Sequence, residues 1–166
     1  MYYPEVVNHW ESIFEKMGYR ETKPNNWFEE TKDLIIVLRV LTIPPEVDFY
    51  VDVGIIIKKL YDVNALNYPV FRYYHLGQSL WLLLYKLGEK KRNLDKLFCF
   101  DRLKNTDEKV IANISKLAML YQAKVIPLLD EIDKWACAEE NFEEKRAWDP
   151  FYQYFMPSLN VDQCYW

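Results

Sequence analysis

The stretch Asp33–Ile57, DLIIVLRVLTIPPEVDFYVDVGIII, decides the fold. Two β-branched, aromatic-bearing runs flank Pro44-Pro45. In the second run Val47, Phe49, Val51, Val53, Ile55 and Ile57 alternate with Asp48, Tyr50, Asp52 and Gly54. Successive side chains of a strand point to opposite faces, so the alternation predicts a sheet with one face on a core and one face chemically open. The first run, Leu34 to Ile43, is apolar at nearly every position, which predicts partial cover on both faces. Its one charge is Arg39. An even-length hairpin through Pro44-Pro45 pairs Thr42 with Val47 and sets Arg39 opposite Tyr50, diagonal to Asp48 and Asp52. That spacing favours a structural ion pair over two catalytic carboxylates.

Upstream, Val6, Val7, Trp10, Ile13, Phe14 and Met17 recur at helical spacing, with Pro4 suited to the first turn and Gly18 to the stop. Tyr19 to Asn26 reads as a polar connection. Trp27–Glu30 reads as a short strand, with a tight turn near Lys32-Asp33. Downstream, Leu60 to Asn67 is a short helix or loop. Val70–His75 and Ser79–Tyr85 read as strands joined at Leu76-Gly77-Gln78, and Leu97–Phe100 as another. The segment between them holds Lys86, Lys90, Lys91, Arg92 and Lys96 and is expected to be a solvated hairpin or loop tip. Asn105 and Glu108 have capping-box spacing. From there an apolar stripe of Val110, Ile114, Leu117, Tyr121, Val125, Leu128, Leu129, Ile132 and Trp135 predicts a long helix that Pro127 must kink or split. The tail from Asn141 turns aromatic, and a tail of that kind is expected to pack back on the body.

The 166 residues fit one domain with a core that needs no staples. A net charge of −4 argues against a nucleic-acid binder acting by bulk electrostatics and gives weak support to a basic partner. Aromatic residues make up 17%, mainly core, with a share left for recognition because Tyr and Trp favour interfaces. Cys99, Cys137 and Cys164 form no zinc pattern with His9 and His75, and read as free buried thiols of a reducing cytosol. The N-terminus lacks the pattern of a signal peptide. No apolar run approaches the roughly 20 residues that span a bilayer. The expected localisation is therefore cytoplasmic, without a membrane partner. The sequon at Asn113 falls inside a helical pattern and is set aside.

Chemistry is sparse. The four glycines are scattered, which removes the Rossmann, P-loop and kinase fingerprints together. The face of Asp48, Tyr50 and Asp52 carries too few oxygens for a divalent cation once Arg39 is counted, so no metal and no cofactor are expected. His75, at a strand end, reads first as a surface or capping group.

Gly18-Tyr19 follows the first helix, Val53-Gly54-Ile55 lies in the sheet, His75-Leu76-Gly77 comes next, and Ile126-Pro127-Leu128-Leu129 sits in the late helix. This order of pieces resembles a bacterial family, the domain of unknown function 4304. The resemblance covers roughly residues 5 to 135 and leaves the aromatic tail unaccounted for. It departs from the family where an arginine is expected at the position of His75. The family implies no activity, so no functional residue is carried over.

The expectation is an α+β domain: an antiparallel sheet of about five or six strands, packed by an N-terminal helix and a long, Pro-interrupted C-terminal helix. The leading functional expectation is a non-enzymatic protein-binding module, in its most concrete form an immunity-type protein that neutralises a basic toxin domain. Its contacts would be Asp48, Tyr50, Asp52, Glu139, Glu140, Glu143, Glu144 and Trp148. The alternative is a small-ligand-binding protein or enzyme with a pocket between sheet and C-terminal helix, using Tyr73, His75 and Tyr85. A third expectation is a homodimer formed through the aromatic tail.

Overall fold

The computed structural model describes residues 1–42, 48–60, 75–138 and 149–157. The chain opens with helix α1 (Tyr3–Lys16) and passes through strands β1 (Arg20–Lys23), β2 (Asn26–Glu30), β3 (Leu34–Thr42) and β4 (Phe49–Ile57) to a 3₁₀ turn at Lys58–Leu60. Strand β5 (Leu76–Ser79) leads into helices α2 (Leu80–Lys86), α3 (Lys91–Leu97) and α4 (Asp107–Leu120). A π-helical turn at Tyr121–Val125 joins α4 to α5 (Ile126–Ala138). Helix α6 (Asp149–Tyr152) and the two-residue strand β6 (Met156–Pro157) follow. The strands form one antiparallel sheet in the order β1-β2-β3-β4-β5-β6, so the α+β architecture expected from the sequence is the one observed.

Helix α1 behaves as its periodicity requires. Val6, Trp10 and Phe14 are buried, Glu5 accepts from the Tyr2 N–H at 2.6 Å, and Gly18 takes a positive φ of 96° past the C-terminus. Trp10 stacks on Phe14 at 5.1 Å, Phe14 meets Trp27 at 5.2 Å, and Trp10 meets Phe49 edge-on at 6.1 Å. Much of the aromatic content is thus spent on a core seam between α1 and the sheet. The even positions of β3 and the odd positions of β4 join that core, with Leu83, Leu84, Val110, Ile114, Leu117, Leu129 and Ile132 from the helices.

The second face of the sheet corrects an expectation. Ile35, Val37 and Ile56 are fully buried in a separate apolar cluster with Phe28, so the face is closed over much of β3–β4 rather than open throughout. Its polar part begins at Arg39. The register also differs from the expected one: Arg39 lies opposite Asp52, Leu41 opposite Tyr50 and Thr42 opposite Phe49. Two residues separate this pairing from the even hairpin. At this end of the pair Asp48 bridges to Cys99 and its carbonyl accepts from the Thr42 hydroxyl at 2.9 Å, while the Phe49 N–H donates to the Phe98 carbonyl at 3.0 Å.

Several element assignments change. Tyr19–Asn26 is no polar connection: it holds β1, with Asn25 at a left-handed φ of 66° in the turn to β2, and Tyr19 is buried. Ser79–Tyr85 is helix rather than strand, because Ser79 caps it by accepting from the Leu82 N–H, and Leu80, Leu83 and Leu84 share one buried stripe. The basic segment is partly helix α3, which buries Leu94 and Leu97 and leaves Lys91, Arg92 and Lys96 exposed. Leu97–Phe100 contributes only the Cys99 bridge. Thr106, not Asn105, caps α4 through its hydroxyl. Asn105 donates instead to the Cys99 carbonyl.

The Pro127 interruption takes the form of the π-helical turn just before it. Pro127 has no N–H, and its ring would crowd the carbonyl of Ala123, which lies within that turn. The wider turn also presents Tyr121 to Tyr19, and their hydroxyls meet at 2.7 Å in the core. The tail does pack back where it is described: Phe155 is fully buried, and Phe151 meets Trp135 edge-on at 5.0 Å. The Pro44-Pro45 connection, the strand expected at Val70–His75 apart from His75 itself, Cys164 and the last aromatic residues lie outside the described residues.

Candidate functional site

The start of β4 meets α2 and α3 at a notch of about 120 Å³ lined by Asp48, Tyr50, Trp81, Asp95 and Phe98. The backbone explains the meeting. The Phe98 carbonyl holds the Phe49 N–H, and the Asp48–Cys99 bridge holds the end of α3 against the strand. Phe98 is buried and packs on Phe49 at 5.4 Å, so the floor of the notch is the outer end of the aromatic core. Trp81 and Tyr85, four residues apart on α2, stack at 5.6 Å, Trp81 partly buried against the core that holds the α2 leucines and Tyr85 about half exposed.

The two carboxylates are held by neutral donors. Asp95 accepts from the Trp81 indole N–H at 3.1 Å. Asp48 hydrogen-bonds with the Cys99 thiol, whose acidity is lowered first by burial and then by that carboxylate. Neither Asp48 nor Asp95 makes an ion pair with a described residue. Lys104 is near enough to feel Asp48, but its ammonium is paired to Asp101 at 3.2 Å. The arrangement can receive a positive charge against an indole face and two acids, which is the chemistry of cation recognition.

Of the residues expected to contact a partner, Asp48 and Tyr50 come together here. Asp52 is diverted: its carboxylate binds Arg39 at 2.8 Å, as the ion-pair reading of this face required. Glu139, Glu140, Glu143, Glu144 and Trp148 lie outside the described residues, as does Tyr73. The alternative site is divided. Tyr85 is about half exposed on α2, whereas His75 is only 1% exposed. Far from being a surface group, His75 accepts the Ile57 N–H at its ring Nδ1 (2.9 Å), its backbone N–H donates to the Ile55 carbonyl (2.7 Å), and burial lowers its pKa to about 4. It is a neutral splint between β4 and β5.

Trp81, Asp95 and Phe98 were not singled out from the sequence. The signal for Trp81 was available: Ser79 followed by leucines at i+1, i+4 and i+5 is a capped amphipathic helix, and that reading places Trp81 with Tyr85 on the outer face. Asp95 and Phe98 reach Asp48 only through the tertiary fold. Cys137 also departs from expectation, being exposed and 3.5 Å from the Lys32 ammonium.

Two other polar or concave features belong to the frame. Tyr19 and Tyr121 continue to Glu29, whose carboxylate accepts from Tyr19 and is raised in pKa by burial, with Asp130 adding to the effect. Both phenols are pushed upward, chiefly by burial, so they stay neutral and satisfy one another. A wider groove of about 240 Å³ between α1 and α4, lined by Ile13, Met17, Ala118 and Met119, has Lys16 as its only charge. Among the described residues no His, Cys, Asp and Glu group suits a metal, and no helix is long and apolar enough to cross a membrane. Comparison with protein-family models, curated proteins and solved structures gave no match.

Proposed function

We propose that the chain is a non-enzymatic protein-binding module whose partner is basic, in its most concrete form an immunity-type protein of a bacterial cytosol that covers a toxin domain. The observation that carries this reading is the notch at Asp48, Tyr50, Trp81 and Asp95, where two carboxylates without an ionic partner among the described residues lie beside a partly exposed aromatic stack. Aromatic anchors beside acids suit a basic surface, the aromatics supplying affinity and the charges steering encounter. The overall charge of −4 has the same sign. Membership of the domain of unknown function 4304 family is proposed alongside, on the order of motifs, and adds no activity of its own. The aromatic tail is the weaker candidate surface, because Phe151 and Phe155 are already engaged in the protein's own core.

The test is affinity capture of the tagged chain from the native host at low salt, beside an Asp48→Asn/Asp95→Asn variant. The reading expects one stoichiometric basic protein, retained by the native chain, weakened by the variant and released as salt rises. Absence of a stoichiometric protein, or a partner indifferent to both changes, overturns it.

A further inference from the structure

We infer that the notch at the start of β4 takes a single arginine side chain of the partner, a guanidinium lying on Trp81 between Asp95 and Asp48. This rests on the protein-binding reading and names the chemistry of its contact. Four features converge. The cavity of about 120 Å³ is small, suited to one side chain rather than to a peptide segment. One wall is Trp81, an indole held by its packing on the core and its stack on Tyr85, and a planar guanidinium lies on such a ring better than a compact ammonium. The Trp81 indole N–H uses one lone pair of the Asp95 carboxylate and aims the group along the ring edge, leaving other acceptor sites for a forked donor. On the far side Asp48 offers a half-buried carboxylate whose hydrogen-bond partner, the Cys99 thiol, is neutral.

Lys91, Arg92 and Lys96 lie on the same helix as Asp95. They are exposed, and none forms an ion pair with it. Their solvated charges weaken the field without filling the notch, so a free arginine should bind weakly and the partner's remaining surface must supply the rest of the affinity. The wider groove between α1 and α4 has a lysine and no acid on its walls, and does not compete for a cation.

The experiment separates this inference from the broader reading because it needs no partner. The indole N–H resonance of Trp81 is assigned by its loss in Trp81→Phe, and the native chain is titrated with N-acetyl-arginine amide, N-acetyl-lysine amide and the neutral isostere N-acetyl-citrulline amide. Arginine should move the Trp81 resonance saturably, lysine less, and citrulline not at all. Asp95→Asn, an isosteric change at an exposed position, should weaken arginine binding by about 2- to 5-fold, the range of a partly exposed ion pair. It should leave the other indole resonances in place, which shows that the fold is kept. A Trp81 resonance that arginine does not move, or that citrulline moves equally, overturns the inference. Capture of a basic partner by the same chain would then leave the protein-binding reading standing with a different contact.

Discussion

Acid should unlock the sheet at His75. This ring is almost fully buried, and its Nδ1 accepts the Ile57 N–H at 2.9 Å, so the neutral form carries its proton on Nε2. A second proton must go to Nδ1, directly against that amide, in a site where charge is poorly solvated. The folded pKa is accordingly about 4, against 6.5 for the free side chain. Between these values the unfolded chain binds more protons than the folded one, so stability rises with pH through the window and is lost as pH falls. At 1.36 kcal/mol per unit, the loss from this residue amounts to about 2 kcal/mol by pH 5 and about 3 kcal/mol by pH 4.

Carboxylates titrate in the same range, so the measurement is a difference. His75→Asn places an amide oxygen where Nδ1 sits, keeps an acceptor for Ile57 and removes the titration. Urea unfolding, followed by circular dichroism from pH 7.5 to 4, should find the variant less stable near neutrality by about 1–2 kcal/mol through lost ring packing. The gap should close and then reverse as acid destabilises the native chain. A gap that stays constant within about 0.5 kcal/mol across that range would refute the reasoning, because the buried imidazole would then be as easily charged as a free one.

Other expectations follow from single contacts. In a double-mutant cycle on Arg39→Ala and Asp52→Ala, the coupling should be about 0.5–1 kcal/mol, since Arg39 remains 38% exposed; a coupling of zero would mean the 2.8 Å contact contributes nothing to the β3–β4 pair. Tyr121→Phe leaves the Tyr19 hydroxyl without its donor in the core and should cost about 1–2 kcal/mol by chemical denaturation, with Tyr19→Phe adding less than its own cost in the double variant. Phe155→Ala should cost about 3–5 kcal/mol by thermal or urea unfolding, a loss that a loosely attached tail would not produce.

How much of this was legible depends on the range of the interaction concerned. The alternation Phe49, Val51, Val53, Ile55 and Ile57 announces its strand and its core face because period-2 burial is a local property, and the late helix with its Pro127 interruption is local in the same way. Ser79–Tyr85 was misread for a local reason too. A short apolar run fits strand or helix equally until the serine cap is weighed, and the strand reading leaves Trp81 out of account. Local pattern was enough for an α+β chain with a buried aromatic core, an Arg39–acid pairing on the polar side of β4, and an acidic Asp48–Tyr50 start to that strand. Packing between distant elements sets which acid Arg39 takes, seals His75 inside, and brings Asp48 into one notch with Trp81 and Asp95. The start of β4 is bonded to the Phe98 carbonyl and bridged to Cys99, which come from some fifty residues farther along the chain. Contacts across that separation leave no period in the sequence, because they are set by how packed elements meet.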